Sequence, residues 1–353
     1  MTAPGRLGDP SRTIGTDPRT DPRLARAMNA FGLGGIAEPP PLTVESPPDE
    51  LIGFCAAVEA AFDGLFTAAQ QDVELPADVE VRVLNLPRPG VKLFVHRPAG
   101  VSEALPCVVH LHGGGMVILQ ADSLAYTRWR SELAAAGMVV VGVEFRNGAG
   151  ALGSHPFPAG LDDCTAAIRW VHDNLTDLRA SHIVVSGESG GANLALASVL
   201  QAKKEGWLDR IAGVYAQCPY IGDPRTPIDD RPSMTENAGY FLSREMLMIL
   251  AEIYDPRGKD AHDPVCWPGR ATPEDVAGLP PHVISVNELD PLRDEGLTYY
   301  RLLASAGVPV SARIVAGTCH AGDVIFRSAL PDVTAATIRD IHAFARAVAP
   351  RER

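Results

Sequence analysis

The 353-residue sequence contains no apolar stretch close to the roughly 20 residues needed to cross a bilayer. Residues 1–23 carry Arg, Asp, Pro and Thr but lack the apolar centre of a secretory signal peptide. The chain also lacks any block of Lys and Arg, because 43 acidic residues outnumber 31 basic ones and give a formal net charge of −12. Such a surface repels phosphate backbones and anionic lipid. We therefore expect a cytoplasmic protein that binds neither nucleic acid nor membranes.

Cysteine is too sparse and too scattered to organise the fold. No two of the six cysteines form a Cys-x-x-Cys pair; they are Cys55, Cys107, Cys164, Cys218, Cys266 and Cys319. In a chain of this length the spacing favours reduced thiols over a disulfide framework or a zinc site, and we predict no metal. Cys319 stands beside His320, but adjacent side chains point in different directions, which disfavours Cys319 as a nucleophile.

The sequence does contain a regular alternation of strand-like and helical patterns. Strands separated by helices predict right-handed crossovers and a mainly parallel sheet that is covered on both faces. The first two strand-like runs have no helix between them, so we expect an antiparallel hairpin at the sheet edge. The strand-like runs are 79–86, 91–96, 107–111, 138–145, 182–186, 211–216, 282–286 and 310–315, and the helical patterns are 124–136, 161–175, 192–201, 295–306 and 332–348.

Composition divides the rest of the chain into a tail, a core and a cap. Residues 1–22, rich in Pro, Asp, Thr and Gly, are expected to form a mobile tail. Apolar residues in 23–75 recur at helical spacing, which predicts N-terminal cap helices. The core is predicted at 76–220 and 281–353. A long insertion at 221–280 interrupts the core, and we interpret it as the second part of the cap.

A Gly-x-Ser-x-Gly turn lies directly between a strand-like run and a helical pattern, at Gly187 to Gly191. Flanking glycines allow the backbone to turn sharply and expose Ser189 above the sheet, as in a nucleophile elbow. The five-residue pattern alone also occurs at ordinary Gly-rich helix starts. The position between strand and helix favours the elbow, so we predict Ser189 as the nucleophile.

His112-Gly113-Gly114-Gly115 follows the third strand-like run. Consecutive glycines allow bare backbone N–H groups to approach a reacting oxygen, and one such donor contributes ~3 kcal/mol to an acyl-transfer transition state. We predict the N–H groups of Gly114, Gly115 and Gly190 as an oxyanion hole. His112, Gly113 and the elbow residue Glu188 are predicted to support this loop. A merely flexible turn is the alternative interpretation.

A serine hydroxyl needs a base to accept its proton, and the base needs an acid to fix its tautomer. After an elbow of this kind the acid and then the base should follow late strands. His320 follows the last strand-like run, whereas His262, His282 and His342 fall in the insertion, at a strand start and inside a helix. We therefore predict His320 as the base.

The acid is predicted in the turn after the strand-like run 282–286. Asp290 lies at the top of that run and precedes a proline that stiffens the turn, which makes it the preferred candidate. Glu288 is the alternative. Asp294 and Glu295 stand where a helix begins and are interpreted as capping groups.

Together these residues resemble the hormone-sensitive-lipase group (family IV) of bacterial esterases. That group pairs a His-Gly-Gly-Gly loop with an Asp-Pro-Leu-x-x-Glu motif, present here from Asp290 to Glu295, and the similarity spans about residues 50–350. The resemblance implies an α/β-hydrolase fold with a mostly parallel eight-stranded sheet flanked by helices, a helical cap, and ester or lactone hydrolysis without a cofactor. Most of the group has Gly-Asp-Ser-Ala-Gly-Gly, whereas Glu188 and Gly190 stand here.

The resulting hypothesis is a serine carboxylesterase that acts on short-chain esters or a macrolide lactone through an acyl-enzyme. An acyltransferase or amidase with the same triad, or a ligand-binding protein on a hydrolase scaffold, remains the alternative. The expected partner is a small ester or lactone, and the edge strand near Val310 with the final helix could support a homodimer. Candidate pocket residues are Met116, Tyr240, Phe241, Trp267 and Phe326.

Overall fold

The computed structural model describes residues 5–86, 91–228 and 230–349, and eight strands in these ranges form one sheet in the order β1-β2-β4-β3-β5-β6-β7-β8. The strands are β1 (Val79–Asn85), β2 (Lys92–Pro98), β3 (Leu105–Leu111), β4 (Val139–Glu144), β5 (Ala180–Glu188), β6 (Gly213–Gln217), β7 (His282–Asn287) and β8 (Val310–Val315). The order and the flanking helices are those of an α/β-hydrolase fold, which confirms the predicted fold class.

Strand direction follows from the connections. β1 and β2 form the predicted antiparallel hairpin, and β2 also pairs antiparallel with β4. From β4 to β8 every pairing is parallel. All six residues of β4 are buried, as expected for a strand that is covered on both faces. The carboxyl ends of the parallel strands therefore meet at one edge, where the loops that carry function gather.

Helices cover both faces of the sheet. Those of at least two turns are α1 (Pro22–Ala30), α2 (Pro48–Ala68), α3 (Leu124–Ala135), α4 (Ala159–Asp173), α6 (Gly190–Glu205), α8 (Arg244–Tyr254), α10 (Arg293–Ser305) and α12 (Pro331–Ala347). Single turns are α5 (Leu175–Leu178), α7 (Ser233–Glu236), α9 (Pro273–Val276) and α11 (Gly322–Ile325). Short 3₁₀ helices lie at Gly5–Gly8, Gly150–Leu152, Leu208–Arg210, Pro256–Gly258 and Pro268–Arg270.

The apolar core lies on both sides of the sheet because successive strand side chains point to opposite faces. On β3, Val108 packs in one buried cluster together with Trp129 of α3 and Ile341 of α12. Its neighbour Val109 belongs to the larger cluster on the other face, where residues such as Leu196 of α6 pack.

Residues 5–22 differ from the mobile tail that their composition suggested. Ile14 and Asp17 are buried, and the Thr20 hydroxyl donates to the Ile14 carbonyl oxygen at 2.7 Å. Arg19 forms ion pairs with Asp17 and with Glu236 of the insertion. The charged and polar residues that suggested disorder instead tie this segment to the cap. Residues 1–4 of the predicted tail lie outside the described ranges.

Helix α2 is longer and more apolar than the sequence analysis allowed. Its 21 residues contain a window with a mean hydropathy of 1.5, enough by length and composition to cross a membrane, so the expectation of no such stretch is wrong here. In the fold α2 buries Leu51, Cys55, Glu59 and Phe66 against the rest of the protein. Its length and apolar character therefore also fit a helix that covers a site on the core.

Candidate active site

Ser189 occupies a strained turn between β5 and α6. Its backbone has φ 55° and ψ −120°, a conformation that L residues rarely adopt outside functional sites. The Ser189 N–H donates to the Gln217 carbonyl at 3.0 Å, which ties the turn to β6. A Cβ on Gly187 would lie 2.6 Å from the Leu111 carbonyl oxygen, so this position requires glycine. The turn therefore has the sharp strand-to-helix geometry expected of the predicted elbow.

The loop after β3 brings the predicted oxyanion donors next to the elbow. Gly114 and Gly115 have φ values of +98° and +63°, which favour glycine. A Cβ on Gly190 would lie 2.7 Å from the Gly115 nitrogen and 2.5 Å from the Met116 nitrogen, so loop and elbow are in close contact. In the part of the chain that the structure describes, the N–H groups of Gly114 and Gly115 have no protein acceptor. They are free to stabilise a developing negative charge.

Glu188 connects the elbow to this loop. One of its carboxylate oxygens accepts the Gly113 N–H at 2.8 Å, and the other lies 2.9 Å from the His110 Nε2. The Tyr126 hydroxyl also packs against this loop, 3.2 Å from where a Gly113 Cβ would be. The side chain of Glu188 is almost fully buried. Glu188, which directly precedes Ser189, thus holds Gly113, which directly precedes the predicted oxyanion donors.

Asp290 and His320 are hydrogen-bonded at the carboxyl ends of β7 and β8. The His320 Nδ1 lies 2.8 Å from Asp290 Oδ2, and Asp290 Oδ1 accepts the Leu292 N–H at 2.8 Å. Burial lowers the pKa of His320, but the charge of Asp290, the hydrogen bond to it and the neighbouring Cys218 together raise the pKa by more, so it lies well above its usual value. In the neutral ring the hydrogen bond to Asp290 places the proton on Nδ1, which leaves Nε2 as the proton acceptor. His320 and Ser189 line the same cavity.

The other carboxylates of the acid loop have structural partners. Glu288, the alternative acid, accepts the Gly317 N–H at 2.8 Å and so anchors the loop that carries His320. Asp294 accepts the Ser233 N–H at 2.7 Å, and Glu295 accepts the Ile221 N–H at 2.7 Å. Asp294 and Glu295 therefore tie α10 to the cap insertion, instead of capping their own helix as the sequence suggested.

A buried polar cluster lies beneath the oxyanion loop. His112 lies with Nδ1 2.9 Å from the Gly113 carbonyl oxygen and stacks on Phe145, and burial lowers its pKa to about 3. His112 is therefore neutral and contacts the loop that the sequence analysis predicts it to support. Nearby, burial raises the pKa of Glu144 to about 7, although Glu144 accepts the Ala121 N–H. Burial also lowers the pKa of Arg130 to about 10.

The cavity above Ser189 has about 610 Å³ of empty volume, partly open to solvent, and its walls are mostly apolar. The sequence analysis missed most of these walls. Phe62 and Phe66 come from α2, Leu247 and Leu250 from α8, and further lining residues include Ile118, Leu119, Tyr126, Tyr220, Leu242, Val324 and Ile325. Helical spacing indicated that α2 has an apolar face, but nothing in the spacing of either helix showed which residues reach Ser189.

Of the five pocket residues predicted from the sequence, Phe241 alone lines this cavity. The other four are buried core residues. The hydroxyl of Tyr240 donates to Asp17 at 3.0 Å, and the indole N–H of Trp267 donates to Asp255 at 3.1 Å. Phe326 packs edge-on against Phe241, and Met116 is 2% exposed. These side chains support the cap and the cavity wall without facing the cavity.

Comparison with known proteins agrees with this geometry. Residues 108–323 match a family described as alpha/beta hydrolase fold. Carboxylesterase NlhH of Mycobacterium tuberculosis is 35% identical over 264 residues, which cover 73% of this chain and 79% of the relative. Esterase LipI of the same organism is 32% identical over 295 residues, which cover 79% of this chain and 87% of the relative.

Solved structures are similar over almost the whole chain. Brefeldin A esterase, described as a bacterial homologue of human hormone-sensitive lipase, is 44% identical with a TM-score of 0.94, and the match covers 99% of both chains. Esterase Est22 is 37% identical with a TM-score of 0.83 and covers 95% of this chain and 99% of its own. The likeness therefore extends well beyond the residues that match the family model.

Proposed function

Because the chain belongs to the hormone-sensitive-lipase branch of the α/β-hydrolase family and is a carboxylic-ester hydrolase, we propose that it forms an acyl-enzyme on Ser189. Its substrates are short-chain esters or a macrolide lactone of the brefeldin A type. The observation that carries this proposal is the 2.8 Å contact between Asp290 and His320 beside an apolar cavity that Ser189 also lines.

In the first half of the reaction His320 Nε2 takes the Ser189 proton as the hydroxyl oxygen attacks the ester carbonyl carbon. Asp290 keeps the imidazole oriented and stabilises its cationic form. The carbonyl oxygen becomes an oxyanion that accepts hydrogen bonds from the N–H groups of Gly114, Gly115 and Gly190. The tetrahedral intermediate then breaks the ester C–O bond, and His320 returns its proton to the departing alkoxide.

In the second half, water attacks the acyl-enzyme carbonyl and gives its proton to His320. The same oxyanion donors stabilise the second tetrahedral intermediate. Collapse of that intermediate breaks the bond to Ser189 Oγ, which recovers the proton and releases the carboxylic acid. Four groups of this chain are enough for both halves: a nucleophile, a base, an acid that orients it, and backbone donors.

The cavity favours neutral, apolar substrates. Apart from the tyrosine hydroxyls, the titratable side chains that line the cavity are Glu188 and His320. Both are engaged in the contacts described above. The aromatic and aliphatic walls offer no partner for a charged substrate group, whose desolvation would cost several kcal/mol. The likeness to brefeldin A esterase makes a lactone of that type the first cyclic substrate to try.

The test is hydrolysis of p-nitrophenyl esters from acetate to decanoate, with brefeldin A as a further substrate, by the wild type and Ser189→Ala. We expect turnover that is highest for short acyl chains and is lost in the variant. Folded wild-type protein that turns over none of these substrates would refute the general-esterase proposal. Labelling of Ser189 by a fluorophosphonate would then tell a narrow-specificity lactonase from a ligand-binding protein. Added alcohol or amine acceptors would reveal acyl transfer.

A further inference from the structure

Cys218 lies directly after β6, in the crevice that also holds the acid and base. Its N–H donates to the Ser285 carbonyl oxygen at 2.7 Å, and its backbone has φ +35°. The residue is 1% exposed. A buried non-glycine residue with a positive φ is held there by its surroundings. No step of the ester hydrolysis described above uses this thiol.

The thiol contacts the acid–base pair. The Cys218 Sγ lies with a carboxylate oxygen of Asp290 and a ring nitrogen of His320 in a group whose atoms are all within 4.8 Å of one another. Within residues 5–86, 91–228 and 230–349, it is the one such group of at least three potential metal ligands. All three residues are buried.

Sulfur, imidazole nitrogen and carboxylate oxygen are the donors that zinc prefers. Zinc lies about 2.3 Å from sulfur and about 2.0–2.2 Å from nitrogen or oxygen, so ligand atoms around it are separated by roughly 3.3–3.8 Å. The spacings to the Cys218 Sγ, at most 4.8 Å, need to shrink by no more than about 1 Å. The 2.8 Å contact between Nδ1 and Oδ2 must open slightly. Side-chain rotations can supply movements of this size.

We propose that Cys218, Asp290 and His320 form an inhibitory Zn²⁺ site behind the catalytic base. The proposal rests on the proposed function, because Asp290 and His320 are the acid and base of that mechanism. It contradicts the expectation from sequence spacing that the cysteines take no part in a metal site. The three ligands come from three different loops, so no spacing motif links them.

Zinc at this position stops catalysis by changing the tautomer of His320. The Cys218 thiol loses its proton to solvent and binds as thiolate, and Asp290 binds through its carboxylate. Nδ1 gives up its proton to bind zinc, and the neutral imidazole carries its proton on Nε2 instead. Nε2 can then donate but not accept, so it cannot take the proton from Ser189. One proton is released for each zinc ion bound to the neutral ring.

The route by which zinc would reach the three ligands predicts that inhibition develops slowly. His320 lines the cavity, whereas Cys218 and Asp290 are not among its lining residues. An ion that enters through the cavity reaches the two deeper ligands only when the imidazole moves. Since that movement breaks the hydrogen bond between His320 and Asp290, zinc inhibition should develop over time and should be slower when substrate occupies the cavity.

The experiment measures residual esterase activity of the full chain after incubation with Zn²⁺ in chelator-free buffer. We expect the zinc concentration for half inhibition to rise at least tenfold in Cys218→Ser and Cys218→Ala. The matched control is Cys319→Ser, which removes a thiol that is equally buried and next to His320 in sequence but outside the ligand group. This control should keep wild-type zinc sensitivity, and EDTA should restore activity in the wild type.

A second readout does not depend on activity. Co²⁺ added to the wild type should produce a thiolate-to-cobalt charge-transfer band in the near ultraviolet, and Cys319→Ser should keep that band while Cys218→Ser loses it. Equal zinc inhibition of wild type and Cys218→Ser would overturn the proposal. So would a wild-type cobalt complex without the thiolate band, even if the Cys218 variants fail to fold. An inactive protein with the band would leave the metal site intact and reject the proposed function.

Discussion

Removing the Glu188 carboxylate should slow catalysis far more than it weakens substrate binding. Glu188→Ala deletes the acceptor of the Gly113 N–H at 2.8 Å and the partner of His110 at 2.9 Å. Gly113 directly precedes the oxyanion donors, so without its anchor at least one donor is no longer held in position. One such donor contributes about 3 kcal/mol to the transition state, which corresponds to a fall in kcat of roughly 100-fold.

The assay compares transition-state and ground-state binding. KM for a p-nitrophenyl ester should change by less than about threefold, because the apolar cavity walls stay in place. The affinity for a trifluoromethyl ketone, which forms a tetrahedral oxyanion on serine, should fall by the same factor as kcat/KM. Glu188→Asp keeps the charge on a shorter arm and should recover part of the rate.

Glu59 provides the matched control. It is also a buried carboxylate, and it accepts the Ala151 N–H at 2.8 Å and a Gln120 N–H at 3.2 Å, but it holds α2 instead of the oxyanion loop. Glu59→Ala should lower the free energy of unfolding, by about 1–3 kcal/mol for a buried donor left unpaired, with little change in kcat. Wild-type kcat in folded Glu188→Ala, or an equal loss of kcat in Glu59→Ala, would refute the positioning role.

Three further predictions concern charge, pocket size and the elbow. Burial raises the pKa of Glu144 from 4.5 to about 7. Between these pH values the folded state binds more protons than the unfolded state, so the free energy of unfolding falls as pH rises. Measured by urea unfolding relative to Glu144→Gln, the wild type should lose up to about 3 kcal/mol of stability from pH 5 to pH 8. A parallel pH dependence of both proteins would contradict this. Phe241→Ala should enlarge the cavity and shift the preferred p-nitrophenyl ester to longer acyl chains, at a cost of about 3 kcal/mol of stability. An unchanged chain-length profile would place Phe241 outside the acyl site. Gly190→Ala should lower kcat by displacing the Met116 and Gly115 nitrogens, which would lie 2.5 Å and 2.7 Å from the new Cβ. Wild-type kcat in that variant would show that the loop can move without loss.

The core of the fold was predictable because it follows from periodicity. Alternating strand and helix patterns indicated a parallel sheet, and the missing helix between β1 and β2 indicated the antiparallel edge, which the pairing confirms. The N-terminal segment was not predictable in the same way. Its polar residues resemble those of a disordered tail, and only the folded cap supplies Glu236 as a partner for Arg19. Local composition carries no information about such a distant ion pair.

The same difference applies to the site, where residues that follow strands were predictable and residues brought together only by folding were not. Ser189, Asp290 and His320 were predicted to lie together because each follows a strand, and parallel strands bring their carboxyl ends to one edge. Phe62 and Leu250 were missed because α2 and α8 lie far apart in the chain and face the cavity only after the cap has folded. Tyr240 and Trp267 were wrongly expected in the cavity because aromatic composition does not distinguish a wall residue from one that supports the wall.

Glu188 and Gly190, the two departures from the wider group's elbow pattern, act on the same loop from opposite sides. Glu188 holds the loop through the Gly113 N–H at 2.8 Å. The absence of a Cβ at Gly190 makes the space that the Gly115 and Met116 nitrogens occupy. An Asp at position 188 has a shorter arm, so the loop can adopt a different position, and an Ala at position 190 then has more room. Glu188→Asp combined with Gly190→Ala should therefore lose less transition-state stabilisation than the sum of the single changes. Additive losses in kcat/KM would mean that the two positions act independently, and the close contact between loop and elbow would then need another cause.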